Sequence, residues 1–197
     1  YRKHPDWALA IPGRKPTRSR SQLVLDMSRA EVLEYLYGAM KALLDESNIE
    51  YVKWDMNRSI CDWYSPALPA HRQGELPHRY MLGVYSLLEK LTNEYPDVLF
   101  EGCSGGGGRF DPGMLYYHPQ IWCSDNTDAI DRLRIQYGTS FFYPLMVTGA
   151  HVSAVPNHQT GRTTSLQTRG IAAMAGCLGY EMDITGLSAE EQRVVKS

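Results

Sequence analysis

Short apolar runs that end on an acid recur along this chain, with helical stripes between them. Gln22-Leu23-Val24-Leu25-Asp26 is the first run, and Tyr51-Val52-Lys53-Trp54-Asp55 the second. Val98-Leu99-Phe100-Glu101, Ile121-Trp122-Cys123-Ser124-Asp125, Leu145-Met146-Val147 and Tyr180-Glu181-Met182-Asp183-Ile184 follow. Between the first two, Val32, Leu33, Leu36, Met40, Leu43 and Leu44 repeat at helical spacing, which predicts a helix over 29–45 with one buried face. Ser28 and Glu31 read as its capping box. Further helices are expected over about 78–94, from Thr127 to about Tyr137, near 164–178, and after Ser188, which boxes with Glu191. Strand and helix in alternation specify a parallel sheet covered by helices. In such sheets functional groups gather at the carboxyl ends of the strands, and five of the six expected strands end on an acid.

Six strands fit an open doubly wound sheet or six of the eight units of a (β/α)₈ barrel. A whole barrel takes about 250 residues, and this chain has 197, so the favoured reading is one incomplete barrel over 1–197. The chain begins at Tyr1 rather than Met, which suggests an excised piece. Residues 1–20 are a proline-punctuated loop.

A net charge of −2 gives no general attraction to nucleic acid or to an anionic membrane. No apolar run approaches the roughly 18 residues of a membrane span. Cys61, Cys103, Cys123 and Cys177 form no CxxC pair and lack histidines at zinc spacing, so reduced thiols are expected and no metal centre or cofactor is implied.

The residues that carry chemistry start at Tyr51–Arg58. Side chains alternate along a strand, so Lys53, Asp55 and Asn57 share one face. Asp55 and Asp125, from two strand ends, form the carboxylate pair that glycoside hydrolysis requires. Lys53 beside Asp55 favours the ionised carboxylate, and Trp122 and Cys123 before Asp125 offer a desolvated setting that raises a pKa. The alternative is that both acids cap helices. The run Gly102-Cys103-Ser104-Gly105-Gly106-Gly107-Gly108-Arg109 matches neither phosphate-loop pattern; glycine there serves a tight turn or close approach to a ligand. Arg20 reads as a clamp on a hydroxyl-rich substrate or as a solvated side chain, Trp122 as core or as a stacking platform. His151 is the one histidine near a strand end.

Taken in order, YVKWDMNR, FEGCSGGGGRFDPGMLYY and WCSDNTDAIDRLRIQYG resemble the catalytic barrel of family-36 glycoside hydrolases, the microbial α-galactosidases of the melibiase, raffinose-cleaving type. RSRSQLVLD and PLMVTGAHVSAVPNHQTGR continue the match across essentially the whole chain. The resemblance implies a retaining hydrolase of terminal α-galactosides on a (β/α)₈ barrel. Asp55 would be the nucleophile and Asp125 the acid/base, with Lys53, Asn57, Arg20, Cys103, Gly106 and Trp122 in contact with the sugar. It also implies that the strands here correspond to the third through eighth, without the family's flanking β-domains. A cytoplasmic parent that forms a homo-oligomer, often a tetramer in this family, is expected. Galactosyl transfer of the raffinose- or stachyose-synthase kind, a non-catalytic galactoside-binding remnant, and a nucleotide-binding α/β domain are the competing readings.

Overall fold

In the computed structural model, which describes residues 1–196, the chain divides into two units. The first comprises Tyr1–Val52 and Met56–Leu99; the second comprises Lys53–Asp55 and Phe100–Ser197.

The first unit is built on α1 (Ala30–Glu46) and α2 (Leu76–Glu94). α2 buries Leu76, Tyr80, Gly83, Val84, Leu87, Leu88 and Leu91, one stripe at three- and four-residue steps. Gly83 has to be glycine: a Cβ there would stand 1.8 Å from the Met27 carbonyl oxygen. Lys90 Nζ lies 3.6 Å over the Tyr37 ring, and Lys41 donates to Glu94 at 2.7 Å, tying the helices along their exposed side.

Residues 22–26 do not form the strand expected of them. Leu9 N–H donates to Val24 O, and Asp26 N–H donates to Trp7 O, so this backbone pairs antiparallel with residues 7–9 at a single bridge. The Ser28–Glu31 capping box is also absent, because Ser28 has a stronger partner. Asp26 is fully buried and accepts from Ser28 N–H (3.0 Å), Ser28 Oγ (2.6 Å) and Ser65 Oγ. Glu31 pairs instead with Arg29. In the intact protein, Asp26→Ala is expected to cost about 3 kcal/mol by stranding these buried donors, read as an earlier thermal or urea unfolding transition; an unchanged transition would show that the cluster holds nothing together.

The second unit holds most of a five-stranded parallel sheet. Its strands run in chain order β1 (Tyr51–Asp55), β2 (Leu99–Cys103), β3 (Gln120–Trp122), β4 (Thr148–Ser153) and β5 (Cys177–Glu181). Glu101 is in register with Gln120, Ile121 with Thr148, and Gly149 with Cys177. β3 is shorter than expected, ending at Trp122 and leaving Asp125 three residues out on the following loop. Leu145–Val147 is a 3₁₀ turn, and the strand is the more polar Thr148–Ser153, which contains His151. Glu101 lies inside β2 rather than at its end. The short α3 (Pro112–Tyr117) precedes β3, and the helix expected from Thr127 to about Tyr137 is α4 (Ala129–Ser140). The helix expected near 164–178 is α5 (Leu166–Ala173), and β5 begins at Cys177, ahead of the expected 180–184. Asp183 lies beyond β5 and caps a short turn through Thr185 N–H at 2.9 Å.

The sheet has an apolar and a polar face, as period-two alternation requires. On the apolar face Ala150 and Val152 of β4 pack with Leu166 and Ala173 of α5. The polar face carries Lys53 and Asp55, Glu101 and Cys103, Gln120 and Trp122, then Gly149 and His151. α6 (Ala189–Lys196) starts with the expected box: Glu191 N–H donates to Ser188 Oγ at 3.2 Å, and Ser188 N–H to the Glu191 carboxylate at 2.9 Å. None of the four cysteines is in a disulfide. Among the described residues no helix is long and apolar enough to cross a membrane.

Candidate active site

β1 delivers Lys53 and Asp55 to the polar face. Lys53 Nζ lies 3.7 Å from Glu101 Oε1 and 4.6 Å from the centre of the Trp122 ring. Asp55 is exposed at the strand end, beside Cys103 at the end of β2. Burial pushes the Cys103 thiol up, so it stays protonated and donates to the Asp55 carboxylate, while Gly106 N–H donates to its sulfur.

The glycine loop after β2 then turns toward Asp125. Gly106 has φ +74°, and a Cβ on it would sit 2.3 Å from the Asp125 backbone nitrogen and 3.1 Å from its carboxyl carbon. Gly107, at φ +91°, comes equally near the Cys123 carbonyl, where a Cβ would stand 2.5 Å away. Both positions need glycine for conformation and for space. Asp55, Cys103, Gly106 and Asp125 thus follow one another in direct contact.

Asp125 rides on a loop pinned from several sides. Arg132 of α4 (Ala129–Ser140) is 3% exposed; it donates to Ser124 O at 3.0 Å and to Cys123 Sγ at 2.9 Å. Its guanidinium carbon also lies 4.2 Å from the Trp122 ring centre. Ser153 Oγ donates to Thr127 O, and Asn157 Nδ2 to Thr127 Oγ1, both at 3.0 Å. The helix cap is Asp128, which accepts from Ile130 N–H and Asp131 N–H and is held by Thr160 and Arg162. The capping alternative therefore belongs to Asp128, and the Asp125 carboxylate is exposed rather than desolvated behind Trp122 and Cys123.

Trp122 is 3% exposed, walled by Lys53, Arg132 and the His151 ring at 4.6 Å. Burial and the Lys53 charge pull the His151 imidazole down, against the Glu181 carboxylate 3.6 Å away. The second unit thus gathers Lys53, Asp55, Cys103, Gly106, Trp122 and Asp125. Asn57 and Arg20 belong to the first unit. Asn57 is half-buried. Arg20 is exposed at the tip of a two-residue hairpin between Ser19 and Gln22, with φ +51° at Arg20 and +59° at Ser21. Two non-glycine residues in the left-handed region are a strained choice of the kind that accumulates at functional sites.

Sequence reasoning missed Arg132. Its one signal is position: with Ala129 and Gln136 it lies on the buried stripe of α4, where charge is out of place.

The fold and this cluster define an α/β protein with a parallel sheet that gathers carboxylates, a lysine and a glycine loop where its strands end. The family model for Melibiase matches residues 1–197, and the chain belongs to that family. It is 61% identical over 196 residues to the bifunctional α-galactosidase/sucrose kinase AgaSK of Mediterraneibacter gnavus, covering all of this chain and 20% of that protein. With α-galactosidase AgaA of Geobacillus stearothermophilus it shares 58% identity over 196 residues, 27% of that protein. The sheet is the curled half-barrel of those galactosidase domains. Superposition on the solved structure of an AgaA variant with raffinose gives a TM-score of 0.97 at 57% identity, covering this whole chain and 27% of the other. A second AgaA variant, solved with stachyose, gives 0.96 at 57% identity and the same coverage. The chain therefore spans about a quarter of the length of these relatives.

Proposed function

We propose that the protein containing this chain hydrolyses terminal α-galactosides, melibiose and raffinose-type oligosaccharides among them, with retention of anomeric configuration. The observation that carries the reading is the contact sequence Asp55–Cys103–Gly106–Asp125, which holds two carboxylates on either side of one glycine loop. Retaining hydrolysis asks for carboxyl groups about 5–5.5 Å apart. An Asp55 oxygen attacks the anomeric carbon, the bond to the leaving oxygen breaks, and Asp125 gives that oxygen its proton. Asp125 then takes a proton from water, the water oxygen attacks the same carbon, and the ester to Asp55 opens.

Lys53, Asn57 and Arg20 bind galactose hydroxyls in this reading, and Cys103, Gly106 and Trp122 complete the sugar's surroundings. The glycines let backbone approach the ring where a side chain would collide. The relatives named as α-galactosidases, and the AgaA variants solved with raffinose and stachyose, support the substrate class. The five strands belong to a (β/α)₈ barrel that other parts of the protein complete. The parent carries the family's further β-domains, works in the cytoplasm and assembles as a homo-oligomer.

The test is proton NMR of melibiose or raffinose cleavage by the intact protein. α-Galactopyranose is expected as the first anomer, with the β-anomer growing in by mutarotation. β-Galactopyranose first would overturn retention, oligosaccharide products without free galactose would mean transfer, and galactose bound but never released would mean a binding protein.

A further inference from the structure

Glu101 is the buried acid of the polar face for which the proposed chemistry has no use. It is 0% exposed; Oε2 accepts from Gln120 Nε2 at 3.2 Å, and Oε1 has no hydrogen-bond partner among the described residues. Facing Oε1 at 3.7 Å is Lys53 Nζ, whose side chain is 37% exposed. Gly149 of β4 closes the same space, since a Cβ on it would come within 3.2 Å of Oε1. Buried carboxylates ordinarily fill their acceptor sites; this one keeps an oxygen for a lysine that reaches past it.

A lysine on a four-carbon stem has many rotamers and three donors. Confined between the Glu101 carboxylate and the Trp122 ring, Lys53 loses that freedom before any sugar arrives, which lowers the ordering cost of binding. We propose that Glu101 is a positioning residue: it holds Lys53 Nζ so that the remaining donors meet the hydroxyls of a galactose bound at Asp55. The proposal rests on the reading of Lys53 as a sugar contact.

The charges around Glu101 make this hold depend on pH. Lys53 faces it from β1, His151 lies beyond Trp122 on β4, and Cys177 and Glu181 come from β5. Arg132 of α4 stands behind Trp122, and Cys103 is on its own strand. Burial first, and the Glu181 charge second, push the Glu101 carboxyl up to about 7. The His151 imidazole is pulled down and the Cys103 and Cys177 thiols are pushed up, so their titrations lie apart from it. Above about 7 Glu101 is ionised and holds Lys53; as the pH falls through that value it takes up a proton and releases the lysine, so galactose binding weakens toward acid.

The experiment measures galactose dissociation constants and the KM and kcat of an aryl α-galactoside. It uses the intact protein, Glu101→Gln, Lys53→Ala and the double variant. Glu101→Gln is expected to weaken galactose about tenfold, the worth of one charge-assisted hydrogen bond, with a smaller change in kcat and no acid-side fall in affinity. In the Lys53→Ala background the same substitution is expected to cost nothing further. Unaltered affinity in Glu101→Gln, or an equal loss in both backgrounds as a general packing role gives, overturns the proposal alone. Should Glu101→Gln fold poorly, the unaltered protein decides: galactose affinity that stays flat through neutral pH overturns it. An unaltered protein that binds no galactose overturns the reading of the whole site.

Discussion

Asp55→Ala in the intact protein is expected to abolish turnover of an aryl α-galactoside, by at least about 10⁴-fold, the scale on which loss of a nucleophile acts. The mechanism makes a sharper demand than loss alone. With the carboxylate gone, the space beside Cys103 and the anomeric carbon opens to a small anion. Azide is expected to restore part of the rate by direct displacement and to leave as the galactosyl azide of inverted configuration. The restoration should be confined to activated aryl substrates. Full activity in Asp55→Ala would remove it from the mechanism and return attention to the glycine loop. Loss without azide rescue would mean that Asp55 serves the sugar's binding or the local fold.

Gly106→Ala is the second large effect. A methyl there would meet the Asp125 backbone nitrogen at 2.3 Å with the backbone held at φ +74°. Both objections apply at once, and backbone cannot swing aside as a long side chain can. The substitution is expected to push the Asp125 loop off station, with kcat falling about 100-fold or more, since displacements near 1 Å are felt at that level. Leaving groups report whether the acid is what moved. A phenol of low pKa departs with little proton donation, so its galactoside should be hurt least, and a sugar leaving group most. An equal loss for all leaving groups would place the damage elsewhere.

Helical periodicity carried α1 and α2, because an amphipathic stripe of about 17 residues has few other solutions. Short elements were harder. Leu145–Val147 reads as a strand by hydrophobicity, yet the strand is Thr148–Ser153, whose polar face carries Gly149, His151 and Ser153. In a sheet that gathers polar groups on one face, the most apolar triplet need not be the strand. The two expected capping boxes are the cleanest contrast. Ser188 and Glu191 form theirs, whereas Ser28 and Glu31 have the same letters at the same spacing and do not. The difference is Asp26, a buried carboxylate two residues before Ser28, which no local pattern reveals as buried.

The site was legible in its residue types and less so in its supports. Lys53 and Asp55 follow from alternation on one strand, and the glycine run announces a close approach. What the close approach is to, the Asp125 backbone, depends on loops that meet only in three dimensions. Arg132 stayed hidden, and Glu101 was legible only as one of the strand-end acids, because a charged residue on a helix or strand is ordinarily solvated, and only burial marks them out.

The strand order of the sheet follows the chain order without exception. Each strand after β1 therefore finds one of its partners, the strand synthesised just before it, already outside the ribosome. A lesion in β2 deprives three later strands of their template, whereas one in β5 leaves four already laid down. Co-translational assembly should tolerate damage increasingly well toward β5, the last of these strands to emerge.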